Sequence, residues 1–211
     1  RPRVALGAAS LNAGSERWVL ALWPDSEVRA KLADAARALI PKAARGTHPQ
    51  DLHLTLRFLG PLTPEALDRV EAAAAAVTGT APVPLCIDRV GCFPRSGVLW
   101  AGPSDPGAAL RDLVSRLEEA LGAQGLPAES RPFRAHITLA RRVRRRPQMA
   151  WGAPLWWLAR ELVLAAGSPG QAPRYRVRRS WTLTGPSAKP ATPRTPATGA
   201  PSPSRIEGSH V

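Results

Sequence analysis

The chain has 211 residues, 44% of them hydrophobic, which is enough for one substantial core and too apolar for wholesale disorder. Its 29 basic and 16 acidic residues leave a net charge of +13, a surplus that favours polyanionic partners, although an arginine-rich chain with only Lys31, Lys42 and Lys189 also reflects coding bias. No apolar run is long enough to span a bilayer, and Cys86 and Cys92 are too few for a disulfide framework or a zinc site.

Residues 1–16 are expected to form an N-terminal extension. Arg1 and Arg3 ahead of Val4–Leu11 imitate a secretory leader only weakly, because Gly7 and Ser10 interrupt the stretch, and the expected location is cytoplasmic. Residues 17–186 read as a single bilobal domain. Its first strand spans about 17–23. Asp25 or Ser26 then caps a helix striped by Val28, Leu32, Ala35 and Leu39 and ended by Pro41. A strand over 52–59 follows. Thr63-Pro64-Glu65 opens a second helix, striped by Leu67, Val70, Ala74 and Val77 and closed at Gly79. Strands are expected over 83–91 and 97–101. Asp105-Pro106 opens a third helix, carrying Leu110, Leu113, Val114, Leu117 and Leu121, with Gly122 and Gly125 as its stop. Three further strands, 134–140, 160–166 and 175–184, complete the domain. From Pro186 onward six prolines occur in 26 residues among Ser, Thr and Ala, so 187–211 is expected to be a disordered tail.

Only four histidines are present, and two of them open the same pattern: His53-Leu54-Thr55-Leu56 and His136-Ile137-Thr138-Leu139. Side chains alternate between the faces of a strand, so His53, Thr55 and Arg57 share one face while Leu52, Leu54, Leu56 and Phe58 take the core side; His136 and Thr138 are arranged likewise. Trp18 precedes His53 by 35 residues and Trp100 precedes His136 by 36, each with a capped helix between, which suggests two related β-α-β halves. A lone strand histidine is usually structural. Two copies in matching context fit displacement at phosphorus, where one imidazole takes a proton from the incoming oxygen and the other gives one to the departing oxygen. The threonine hydroxyls then hold the non-bridging oxygens. This chemistry calls for no metal and no cofactor, and the sequence shows neither further clustered ligands nor a nucleophile elbow.

The segments Asp51–Gly60 and Arg131–Leu139 resemble the paired HxTx signatures of the 2H phosphoesterases, with the RNA 2′,3′-cyclic phosphodiesterases (2′-5′ RNA ligases) as the most similar branch. Trp23-Pro24, Val98-Leu99-Trp100, Arg174-Tyr175 and Trp181 add to the resemblance, which covers about 17–184. It implies an α+β fold of two facing antiparallel sheet lobes with outer helices, a central cleft and approximate two-fold symmetry. It also implies hydrolysis of RNA 2′,3′-cyclic phosphate ends to 2′-phosphate ends, with His53 as proton donor, His136 as proton acceptor, and Thr55 and Thr138 on the phosphate. Which histidine plays which part comes from the resemblance, since spacing alone allows the exchange. Arg131 and Phe133 lie at positions the resemblance associates with substrate, one as a phosphate contact and the other as a stacking face or a core aromatic. Arg134 stands where that family often has a second histidine.

Arg57 and Arg141 are further candidates for RNA binding. Arg141, Arg142, Arg144, Arg145 and Arg146 follow the second motif, and Arg174, Arg176 and Arg178 alternate along the last strand. Either run is a solvated surface or a set of RNA backbone contacts. Trp151, Trp156 and Trp157 are read as packing or loop anchors rather than base platforms. The expected partners are RNA ends or nucleoside 2′,3′-cyclic phosphates, with no membrane, and the chain is read as a monomer. Two alternatives remain open: 2′-5′ ligation at the same site, and an RNA- or nucleotide-binding module without turnover.

Overall fold

A computed structural model of the chain describes residues 16–143, 150–168 and 170–186. The elements run β1 (Arg17–Leu22), α1 (Ser26–Leu39), β2 (Arg45–Gly46), a 3-10 turn at Pro49–Asp51, β3 (Leu54–Gly60), α2 (Pro64–Ala76), β4 (Val83–Ile87), β5 (Arg89–Phe93), β6 (Val98–Gly102), α3 (Gly107–Ala123), β7 (Ile137–Arg141), β8 (Leu155–Ala159), β9 (Glu161–Gly167) and β10 (Tyr175–Thr182). The fold is α+β with two antiparallel sheets. The larger has the order β10-β9-β1-β3-β7-β6-β5, with β2 added beside β7; the smaller is the pair β4-β8.

Local chemistry sets the helix ends. Asp25 Oδ1 accepts from the Val28 amide at 2.9 Å, and α1 stops at Ile40 before Pro41. Thr63 Oγ1 accepts from the Ala66 amide at 3.2 Å ahead of α2, which closes at Val77, two residues short of Gly79. Asp105 Oδ1 accepts from the Gly107 amide at 3.0 Å and so starts α3 one residue after Pro106. Gly122 stays inside α3, and the turn falls at Gly125, whose φ of +75° suits a residue without Cβ.

Strand reading from the sequence needed two corrections. The apolar run 83–91 is two strands in different sheets: Val83–Ile87 pairs with β8 and Arg89–Phe93 with β6. Asp88 makes the break, its carboxylate accepting from the Ser104 amide at 2.7 Å and the Ser104 hydroxyl at 2.6 Å. The Trp-rich stretch near 156 contains β8, whose Trp157 and Ala159 face inward while Trp156 stays 72% exposed.

One face of the large sheet carries the helices and the main core, which joins Leu20, Leu22, Leu54, Leu56, Ile137 and Leu139 of the strands to Leu32, Val70, Leu110, Leu113 and Leu117 of the helices. The opposite face is open. On it lies a second, smaller cluster of Val19, Ala21, Trp23, Val163 and Ala165, covered by Tyr175. The two arms of the sheet, β10-β9-β1-β3 and β7-β6-β5, meet at a single residue pair, Leu54 with Ile137. None of the described helices is long and apolar enough to cross a membrane.

Candidate active site

The seam between the arms is where the doubled motif lies. Leu54 and Ile137 are antiparallel partners and both are fully buried on the helix side. Extending their register by one residue each way sets His53 opposite Thr138 and His136 opposite Thr55, and alternation turns all four side chains to the open face. A local two-fold axis therefore runs through the Leu54–Ile137 pair.

Both rings are held alike. His53 Nδ1 lies 2.7 Å from the Asp51 carbonyl oxygen, and His136 Nδ1 lies 2.7 Å from the Arg134 carbonyl oxygen, two residues back in each case. A carbonyl only accepts, so each Nδ1 carries the proton and each neutral ring leaves Nε2 with a free lone pair. Aromatic side chains fix the planes. His53 stacks on Trp23 with centroids 4.7 Å apart at 9°, and meets the edge of Tyr175 at 4.7 Å and 78°. His136 meets Phe93 at 5.1 Å and 86°, and Phe93 stacks on Trp100 at 5.4 Å. An arginine lies over each cage: Arg174 is 5.7 Å from the Tyr175 ring and Arg89 is 5.9 Å from the Trp100 ring.

The cages also set the electrostatics. Burial pushes the His53 imidazolium down to about 4; the Asp51 carbonyl and carboxylate oppose the shift, and the charges of His136 and Arg141 add to it. His136 is lowered as well, chiefly by burial, with the Arg134 carbonyl opposing and Arg141 contributing. The positive charge of Arg141 is thus felt at both rings. Among the described residues no three His, Cys, Asp or Glu side chains are grouped to hold a metal ion.

The two motif strands share an irregularity that alternation does not anticipate. Ala21 pairs with Thr55 but Leu20 with Arg57, so β3 carries an extra residue at Leu56–Arg57. Trp100 pairs with Thr138 but Leu99 with Ala140, so β7 carries one at Leu139–Ala140. These bulges fall three and four residues after each histidine. Beyond them the faces are exchanged: Leu56, Arg57, Leu139 and Ala140 are buried, and the fifth residue after each histidine, Phe58 or Arg141, emerges exposed on the open face.

Several expectations change as a result. Arg57 does not line the cleft. It lies on the helix side, where Nη1 binds the Glu118 carboxylate at 3.0 and 3.2 Å and Nη2 donates to the Pro127 carbonyl. Phe58, expected in the core, is 43% exposed. Arg131 is exposed, and its Nε and Nη2 each bind Glu129 at 3.0 Å, which holds that carboxyl at about 2. Phe133 is half-buried against the main core.

Along β10 a second bulge, between Val177 and Arg179, breaks the expected common face of arginines. Arg178 and Arg179 both bind Glu71 of α2, at 3.3 and 2.7 Å, and Arg176 pairs with Glu16. Arg144, Arg145 and Arg146 lie outside the described residues, as do 1–15 and 187–211. Trp151 and Trp157 are core residues. The sequence repeat is also re-registered. Trp100 pairs with Thr138 and Ala21 with Thr55, so the counterpart of Trp100 is Ala21, whereas Trp18 belongs to the main core.

Sequence reasoning missed three contributors. The buried Asp51 carboxylate accepts from the Arg174 amide at 2.7 and 3.0 Å and the Tyr175 amide at 3.0 Å, fixing Tyr175 against His53. Phe93 and Tyr175 hold the histidines from strands remote in sequence. The place of Asp51 two residues before His53 is a visible signal; nothing in the sequence marks the other two.

Comparison with known proteins agrees with this geometry. The chain is 31% identical over 138 residues to the RNA 2′,3′-cyclic phosphodiesterase of Archaeoglobus fulgidus, covering 64% of this chain and 77% of that protein. It is 31% identical over 153 residues to the RNA 2′,3′-cyclic phosphodiesterase of Escherichia coli, covering 68% and 82%. The crystal structure of E. coli LigT complexed with 3′-AMP superposes with a TM-score of 0.72 at 28% identity, over 81% of this chain and 99% of that one. The sequence model of the 2′-5′ RNA ligase superfamily matches residues 24–167, which contain both HxTx strands and the seam that joins them, and the chain belongs to that superfamily.

Proposed function

We propose that the chain hydrolyses 2′,3′-cyclic phosphate ends of RNA, or nucleoside 2′,3′-cyclic phosphates, to 2′-phosphate ends. The observation that carries this reading is the matched tethering of two imidazoles: each Nδ1 is tied to the carbonyl two residues back, so both Nε2 atoms are available on one open face across a two-fold seam. In-line displacement at phosphorus needs proton carriers on opposite sides of one centre, and this arrangement supplies them.

In the proposed cycle His136 Nε2 takes a proton from water as its oxygen bonds to phosphorus. The bond from phosphorus to the 3′ oxygen breaks, and the imidazolium of His53 protonates that oxygen. A 3′-hydroxyl and a 2′-phosphate result, and solvent returns His53 and His136 to their starting states. Thr55 and Thr138 donate hydroxyls to the non-bridging oxygens, and Arg141 offsets the charge that develops there. The relatives named RNA 2′,3′-cyclic phosphodiesterase support the reaction class.

The test is incubation with adenosine 2′,3′-cyclic phosphate and identification of the product. The 2′-phosphate is expected, and His53→Ala and His136→Ala are each expected to lower turnover by about 10² or more. A 3′-phosphate product reverses the two histidine roles. A single alanine variant with full activity removes the mechanism.

A further inference from the structure

We propose that Phe58 is the stacking platform for the base of the nucleoside that carries the cyclic phosphate. The inference rests on the reading of the site as a phosphodiester site and names what holds the rest of the substrate. Three observations place the ring. The bulge at Leu56–Arg57 sends Arg57 to Glu118 on the helix side and so turns Phe58 to the opposite, histidine-bearing face. Phe58 pairs directly with Val19, and paired residues point the same way; Val19 belongs to the open-face cluster that includes Trp23 and Tyr175, the two rings holding His53. The Phe58 ring is 43% exposed, in a row with Val19, Ala165 and the 54% exposed Val177.

The matched bulges give this placement its chemical meaning. The two-fold makes Phe58 and Arg141 equivalent positions, each five residues after its histidine, but one is an aromatic ring and the other a cation. The site is symmetric about the phosphorus and asymmetric at its ends. A nucleotide has the same polarity, with a flat apolar base on one side of its phosphate and anionic oxygens or the preceding phosphate on the other. With the phosphate between Thr55 and Thr138, the base lies over Phe58 and the charge toward Arg141. Along β3, Thr55 and Phe58 are two regular steps apart once the bulged residue is discounted, roughly 7 Å, a span one nucleoside bridges. Stacking accepts any base, so this platform predicts tolerance of base identity rather than a code.

Two substrates separate the platform from the reaction: adenosine 2′,3′-cyclic phosphate, and methyl ribofuranoside 2′,3′-cyclic phosphate, which has the same reacting atoms and no base. Phe58→Ala is expected to lower kcat/KM for the adenosine compound by about 5- to 150-fold more than for the methyl riboside, the range of one base–aromatic stack, mainly through KM. Phe58→Trp is expected to keep the parent preference for the base-bearing substrate. Equal losses on both substrates, or no loss on either, overturn the platform and leave the reaction standing. A parent protein that hydrolyses neither compound sinks the reaction. In that event, titration of parent and Phe58→Ala with adenosine 2′-phosphate decides the platform separately, and equal affinities overturn it.

Discussion

At His53 the burial that stacks the ring on Trp23 also removes the water that would stabilise its charge, and the imidazolium falls to about 4. His136 is lowered in the same direction. Both rings are therefore neutral in the free protein at pH 7, and the proposed acid must gain its proton at lower pH or beside a bound anion. Above 6.5 the acid form of His53 is lost, and well below about 4 the basic form of His136 is lost. The kcat/KM profile is expected to be bell-shaped with its maximum between these limits. The maximum of kcat is expected at higher pH, because bound phosphate raises the imidazolium pKa. A kcat/KM that stays level or climbs on the alkaline side of 6.5 contradicts the assignment. Asp51 acts at the same scale by a different route, since its carboxylate accepts two backbone amides in a buried setting. Asp51→Ala leaves both donors unpaired and is expected to lower unfolding free energy by about 2–4 kcal/mol, read as a shift in urea midpoint at constant m. An unmoved midpoint removes Asp51 as the clamp on Tyr175.

Among the elements, β3 and β7 decide most of what faces the cleft. Strict alternation correctly turns His53, Thr55, His136 and Thr138 to one side, because those residues precede the bulges. It fails from the fourth residue after each histidine, where one extra residue exchanges the faces. That exchange takes Arg57 away from the substrate and makes it a tie from β3 to α3 and the Pro127 carbonyl. Arg57→Met leaves Glu118 and that carbonyl without their donor and is expected to lower unfolding free energy by about 2–3 kcal/mol, reduced from the fully buried case because Glu118 is partly exposed. KM for a nucleoside cyclic phosphate is expected to keep its parent value. A raised KM with parent stability returns Arg57 to the substrate. The same exchange brings Arg141 to the open face, where its charge reaches both histidines.

Across the whole molecule, a +13 chain does not present its arginines evenly. Arg57, Arg131, Arg176, Arg178 and Arg179 are engaged by carboxylates, whereas Arg89 and Arg174 lie over the aromatic cages and Arg141 stands beside the histidines. Helix starts, most strands, the HxTx pair and the α+β class were legible in the sequence because each depends on neighbours within a few residues: a capping oxygen, a stripe, an alternation. The aromatic cages, the tie from Asp51 to Tyr175, the split of 83–91 between sheets and the bulges depend on partners brought from elsewhere in the chain. Tyr175 reaches His53 only after β10 has folded back along β9, and nothing in the order of residues encodes that approach. The sequence by itself determined which residues carry the chemistry and that they come in two copies. Tertiary structure alone decided which side chains stand beside them, because the face a strand residue occupies beyond a bulge is set by the register of its neighbour strand, a long-range pairing with no local signature.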